Sequence, residues 1–262
     1  MSQQIEQLAA ELDRARRDRV PVPPLTERFP ELTVDDAYAV QSELLRLRLA
    51  EGHLVKGYKI GLTSAAMQRQ LGVDQPDYAQ LSSDMFLDQS TPVGGTLIQG
   101  RVEPEVAFVL GRTLTGPGVT TADVLSATDY VLPALEVIDS RIEDWRISLV
   151  DTIADHASSA GVVLGSRPTP LTAAGDLRLM GCNLYRNGEL VGTGAGAATL
   201  GSPATSVAWL ANKLGSLGVP LAAGMVVLPG SITAAVPSGP GDTVMAMFNQ
   251  LGNVTCSHAS AA

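Results

Sequence analysis

The sequence predicts an α+β chain: a helical N-terminal segment, residues 1–55, followed by a larger, mostly β unit, residues 56–262. Three observations predict it. Apolar residues recur at helical spacing ahead of Gly52. Two runs, 101–110 and 131–138, are apolar enough for strands buried on both faces. Beyond residue 218 the glycines divide the chain into short strand-like pieces, as in a curled β structure.

Ile5, Leu8, Ala9 and Leu12 fall on one helical face, so residues 3–17 form an amphipathic helix with Glu6, Asp13, Arg14 and Arg17 outside. Pro21, Pro23, Pro24 and Pro30 mark an extended connector. Thr33 with Asp36 then gives an N-terminal capping pattern for a helix to about Glu51, stopped by Gly52. Residues 55–62 form a strand that holds Lys59 between Tyr58 and Ile60. Ser64 caps a short helix through Leu71, and 72–78 is a loop with two carboxylates, Asp74 and Asp77, either functional or merely solvated.

After the strand 101–110, Thr120 and Asp123 open a helix to about Thr128, and the apolar segment 131–138 follows. Residues 142–149 read as a helical turn bearing Trp145. Residues 151–159 are a polar stretch before a strand at 162–164, whose hydroxyls either line a pocket or serve as caps. Asn187-Gly188 marks a hairpin. Gly192, Gly194 and Gly196 resemble a nucleotide loop only superficially, because the full spacing, the lysine and the downstream acid are missing. Ser202-Pro203 starts a packing helix that runs to Gly218, and strands follow at 225–228, 243–248 and 254–257.

Net charge of −9 and a pI near 4.8 argue against nucleic acid or an anionic membrane as partner. The first residues lack a basic start and apolar run, and no apolar stretch reaches the roughly 18 residues of a membrane span, so the expectation is a cytoplasmic protein. Cys182 and Cys256 form no pair motif, and His53, His156 and His258 lack zinc-helix spacing.

The chemistry concentrates in the carboxylates of the apolar runs. In a strand Glu103 and Glu105 share a face, and Glu136 sits in the second run. Like charges beside a core must take up a proton, bind a cation or lie at solvated strand ends. A hard divalent ion would need an oxygen-only set of this kind.

Ordered blocks along nearly the whole chain carry a resemblance: 59–64 (Lys-Ile-Gly-Leu-Thr-Ser), 71–77 (Leu-Gly-Val-Asp-Gln-Pro-Asp), 101–105 (Arg-Val-Glu-Pro-Glu), 134–142 and 151–155. By these the chain resembles the fumarylacetoacetate hydrolase superfamily, and within it the 2-keto-4-pentenoate hydratase group. The resemblance implies a mixed β-sandwich roll, a catalytic domain over 56–262, a homo-oligomer, and Mg²⁺ or Mn²⁺ held by Glu103, Glu105 and Glu136. It implies water addition to a 2-hydroxydienoate in aromatic or steroid catabolism, with a 4-oxalocrotonate decarboxylase, or a non-catalytic partner subunit of a complex with a pathway decarboxylase or aldolase, as alternatives. Acylpyruvate hydrolysis would want an early His and Glu pair that the sequence does not supply. In this frame Lys59 either pairs with the substrate carboxylate or, with a lowered pKa, shuttles a proton, and Asp77 and Ser158 position or activate water. His156 stands where the family usually has Asn.

Overall fold

The computed structural model describes residues 2–65, 68–69, 72–95 and 97–260. The helix expected from Ser64 through Leu71 lies partly outside them. Helices α1 (Ser2–Asp18), α2 (Leu25–Arg28) and α3 (Val34–Ala50) form the N-terminal segment. α2 interrupts the expected connector. Thr33 and Asp36 cap α3 reciprocally: the Asp36 amide donates to Thr33 Oγ1 at 3.2 Å, and the Thr33 amide to Asp36 Oδ2 at 3.0 Å. Leu8, Ala9 and Leu12 of α1 meet Ala37 and Val40 of α3 in an apolar cluster that also takes in Ile142, Ile153 and Ala154.

The remainder runs β1 (Val55–Gly61), β2 (Asp77–Ser82), β3 (Phe86–Leu87), β4 (Arg101–Leu110), α4 (Thr121–Ala127), β5 (Thr128–Ile138), α5 (Leu149–Ala154), β6 (Ser159–Leu164), α6 (Leu171–Ala174), β7 (Gly181–Arg186), β8 (Glu189–Ala195), α7 (Pro203–Gly215), β9 (Val226–Leu228), β10 (Val236–Pro237), β11 (Thr243–Phe248) and β12 (Gly252–Ser257). One mixed sheet has the order β2-β1-β9-β4-β5-β6-β3, with β10 also paired to β4, and the second has the order β12-β11-β7-β8. Phe108, Val131 and Leu135 of the first sheet share the main core with Leu184, Val244 and Val254 of the second and with Val207, Leu210 and Leu214 of α7.

One expectation needs correction. Asp77 and Tyr78 do not lie in a loop; they begin β2, which pairs antiparallel with β1, and Asp77 is 2 % exposed. Residues 151–159, the polar stretch whose hydroxyls were expected to line a pocket or serve as caps, comprise the end of α5, a tight turn and the start of β6, all buried. Gly192, Gly194 and Gly196 belong to β8 and the turn after it, where they permit close packing. A Cβ at Gly194 would stand 2.2 Å from the Ile232 carbonyl oxygen, and one at Gly196 1.9 Å from that of Leu177.

A buried cluster of carboxylates around one lysine

β4 and β5 bring the acids together. Their antiparallel register sets Glu103 directly opposite Glu136, and the two-residue period of β4 puts Glu105 on the same face. One carboxylate oxygen from each of the three lies within 4.8 Å of those of the other two, and this is the single such metal-capable group among the described residues. Glu105 and Glu136 are 1 % and 0 % exposed, while Glu103 is half-buried.

Each fully buried acid is held from one side. The Gly230 amide donates to Glu105 Oε2 at 2.7 Å, and the Ser159 hydroxyl to Glu136 Oε1 at 2.9 Å. The other two oxygens, Glu105 Oε1 and Glu136 Oε2, are buried without a hydrogen-bond partner. Lys59 Nζ stands 3.5 Å from Glu136 Oε2 and donates to the Ala157 carbonyl at 3.1 Å. Asp77 Oδ1 is likewise buried and unpartnered. Both Asp77 and Lys59 crowd Gly61: a Cβ there would lie 2.1 Å from Asp77 Oδ1 and 3.3 Å from Lys59 Nζ.

The electrostatics follow from this crowding. Burial, then the neighbouring Glu136, push the Glu103 carboxyl up to about 7. The same two causes, with Glu103, hold Glu105 well above the usual carboxylate range. Burial also raises Glu136 and Asp77, and in both the Lys59 charge works the other way. Burial pulls the Lys59 ammonium down, but Glu136, Asp77, Glu103 and Glu105 outweigh it and raise its pKa. The surrounding carboxylates thus favour the charged form of Lys59, the direction opposite to a lowered pKa. Four carboxylates facing one ammonium, with orphaned oxygens in an all-oxygen set, fit a hard divalent cation.

The turn after α5 completes the wall. His156, Ala157 and Ser158 have φ of 56°, 48° and 55°, three successive residues in a region that L side chains rarely occupy. The turn aims the Ala157 carbonyl at Lys59. His156 Nε2 pairs with the Gln80 carbonyl at 2.8 Å, and burial drops its pKa to about 3, so the ring is neutral. The Arg141 side chain binds Asp155 from the loop after β5, its backbone amide donating to Asp155 Oδ2 at 2.9 Å. Ser158 is buried, with its hydroxyl 3.4 Å from Thr152 Oγ1, and it is Ser159 that touches a carboxylate. Sequence reasoning held Ser159 only among the hydroxyls of 151–159 and Gly61 only within the block 59–64, and gave neither of them, nor Gly230, a particular role in the site. Beginning β6 at Ser159 would have put its side chain beside β5, but nothing local in the sequence marks the two glycines.

This fold and this cluster define a class that the family comparison identifies: residues 56–257 match the family described as fumarylacetoacetate (FAA) hydrolase C-terminal, and the chain belongs to that family. It is 48 % identical over 254 residues to the 2-keto-4-pentenoate hydratase of Paraburkholderia xenovorans (strain LB400), covering 96 % of this chain and 94 % of the relative. The 2-oxo-hept-4-ene-1,7-dioate hydratase of Escherichia coli is 45 % identical, with 95 % of this chain and 96 % of the relative covered. Among solved structures, the 4-oxalocrotonate decarboxylase from Pseudomonas putida G7, complexed with magnesium and adipate, superposes with a TM-score of 0.93 at 39 % identity, covering 98 % of both chains.

Proposed function

We propose that the chain is a hydro-lyase that adds water to 2-hydroxypenta-2,4-dienoate or a substituted analogue, giving a 4-hydroxy-2-oxoacid in aromatic or steroid catabolism. The carrying observation is the intact cluster of three glutamates and Lys59 in a chain 48 % identical to a hydratase over 254 residues. Mg²⁺ or Mn²⁺, held by Glu103, Glu105 and Glu136, would supply Lewis-acid stabilisation of the enolate charge that ketonisation of the dienol develops. Lys59, kept cationic and fixed between Glu136 and the Ala157 carbonyl, pairs with the substrate carboxylate. Protonation of the diene terminus and loss of the 2-hydroxyl proton leave an α,β-unsaturated ketone. Water then adds at C4, its second proton going to C3, so that the product is the dienol plus one water. Asp77 is the group we assign to hold that water and accept its proton, since its Oδ1 is unpartnered and burial raises its basicity. The Ser158 hydroxyl, tied to Thr152, orients it from the adjoining turn.

The helical segment 1–55 then serves as a cover for the catalytic domain 56–262, and the enzyme works in the cytoplasm as a homo-oligomer, alone or with a pathway decarboxylase or aldolase. The structural match to a decarboxylase keeps 4-oxalocrotonate as the second candidate substrate. The test is the ultraviolet absorbance of freshly generated 2-hydroxypenta-2,4-dienoate with protein and Mg²⁺, with 4-oxalocrotonate in parallel and products weighed by mass spectrometry. Loss of the dienol with gain of one water is expected. Carbon dioxide release from oxalocrotonate with the dienol untouched would make the chain a decarboxylase, and turnover only after mixing with a pathway enzyme would make it a partner subunit.

A further inference from the structure

A second cavity, of about 410 Å³, opens where the loop before β4 meets the ends of β7, β10 and β12, and none of the cluster acids lines it. Its polar wall is unusual for a chain of net charge −9, because it carries two arginines, Arg101 and Arg186, and one acid, Asp242. That acid is already engaged: it accepts from Asn187 Nδ2 at 2.7 Å and from the Gly239 amide at 3.1 Å. The Arg101 guanidinium lies 4.3 Å above the centroid of the Trp145 ring, which is itself fixed by donation from Nε1 to the Gln99 carbonyl at 3.0 Å. A guanidinium stacked in this way keeps its N–H edge free for a planar anion.

Two further lining groups lack hydrogen-bond partners among the described residues. Ser238 Oγ and His258 Nε2 belong to residues 5 % and 8 % exposed, and neither atom has a hydrogen bond. Their backbones are tied down, the Ser238 amide to the Gly100 carbonyl at 3.0 Å and the His258 amide to that of Asp242 at 2.8 Å. Buried polar atoms held rigidly without hydrogen-bond partners are the mark of a site that a ligand completes. Burial lowers the His258 pKa, and the Asp242 charge works the other way. The rest of the lining is largely aliphatic side chain, proline and glycine, which suits an apolar body better than a phosphate.

We propose that this cavity is a second ligand site, separate from the carboxylate cluster, for a small organic carboxylate with a flat apolar body: the carboxylate meets Arg101, Ser238 and His258, and the body lies along Trp145. The inference does not depend on the reaction assigned to the cluster. Benzoate is the probe, because it has the predicted anion and ring but no 2-oxo group. Trp145 and Trp209 are the only two tryptophans, so a Trp209→Phe background makes fluorescence report on Trp145, while calorimetry on the otherwise unaltered chain gives the same comparison without that replacement. Saturable binding of benzoate to the Mg²⁺-supplied full chain is expected, weakened about ten-fold or more by Arg101→Gln and by Ser238→Ala and unchanged by Glu105→Gln. Absence of saturable binding, or equal binding by the Arg101 and Ser238 variants, overturns the proposal. Loss of binding in Glu105→Gln alone would place benzoate in the cluster and overturn it equally.

Discussion

At Glu105 the conflict between charge and burial is sharpest. Its carboxyl sits beside Glu136 and Glu103 in the core, with one oxygen satisfied by the Gly230 amide and the other by no hydrogen bond among the described residues. Glu105→Gln keeps an acceptor for that amide and removes one of the repelling charges. Without divalent ions the variant should therefore melt at or above the wild-type temperature, whereas the rise in Tm on adding Mg²⁺ and the metal-dependent turnover should both disappear. Thermal unfolding with and without chelator checks both; a full Mg²⁺ shift in the variant would remove Glu105 from the ligand set. His156 makes a different residue-scale prediction. Its pKa falls from the ordinary 6.5 to about 3 in the fold, so below 6.5 the unfolded chain takes up a proton that the folded chain refuses. Stability is unaffected well above that pH and declines as the pH falls towards 3; at pH 5 the loss is about 2 kcal/mol. His156→Asn should flatten this fall, seen as a smaller difference between urea midpoints at pH 7.5 and pH 5 than the wild type shows.

At the scale of elements, the site is a product of strand register. Glu103 and Glu136 oppose each other because β4 and β5 pair over their length, and Lys59 and Asp77 converge because β1 and β2 pair with Gly61 opposite Asp77. The first of these was half legible in the sequence: the period of two put Glu103 and Glu105 on one face, and the apolar run around Glu136 marked a second buried strand. The second was only partly so: β2 has no alternating pattern that would separate it from residues 72–76 before it, so pattern alone left Asp77 as a loop acid, either functional or solvated, and its water-positioning role came from the family resemblance. The left-handed turn at 156–158 was hidden, since its residues are not glycines and only the surrounding contacts hold them there. Gly61→Ala tests the register argument. The added methyl would stand 2.1 Å from Asp77 Oδ1, so Asp77 or Lys59 must move. Turnover should fall by an order of magnitude or more, about 1.4 kcal/mol per ten-fold, while far-UV circular dichroism stays as in the wild type. Near wild-type rates would show that neither side chain needs its present place.

The whole molecule is organised as a helical layer that closes over the strand bearing Asp77. Tyr38 of α3 stacks on Tyr78 of β2 with ring centroids 4.8 Å apart, and Trp209 of α7 meets the same ring edge-on at 6.5 Å. Gln41 is 1 % exposed and joins three parts of the chain, its Nε2 donating to the Tyr78 carbonyl at 3.1 Å and to the Ile153 carbonyl at 3.0 Å. Its amide therefore couples α3 to β2 and to α5, the helix that leads into the turn supporting Lys59. The sequence disclosed the helices through their periodicity and caps, but a glutamine on an otherwise apolar face carries no sign that it bridges a strand and a helix so far along the chain. Gln41→Leu preserves bulk and leaves two buried carbonyls without a donor, at a cost of about 1–3 kcal/mol. Lowered stability would follow from any such loss, so the discriminating measurement is kinetic. If the helical layer positions the catalytic side chains, the variant assayed well below its unfolding range should keep its Mg²⁺-induced Tm shift, because the three glutamates lie on β4 and β5, yet lose turnover as Asp77 and Lys59 relax; turnover retained in full would make the layer a cover for the core and nothing more.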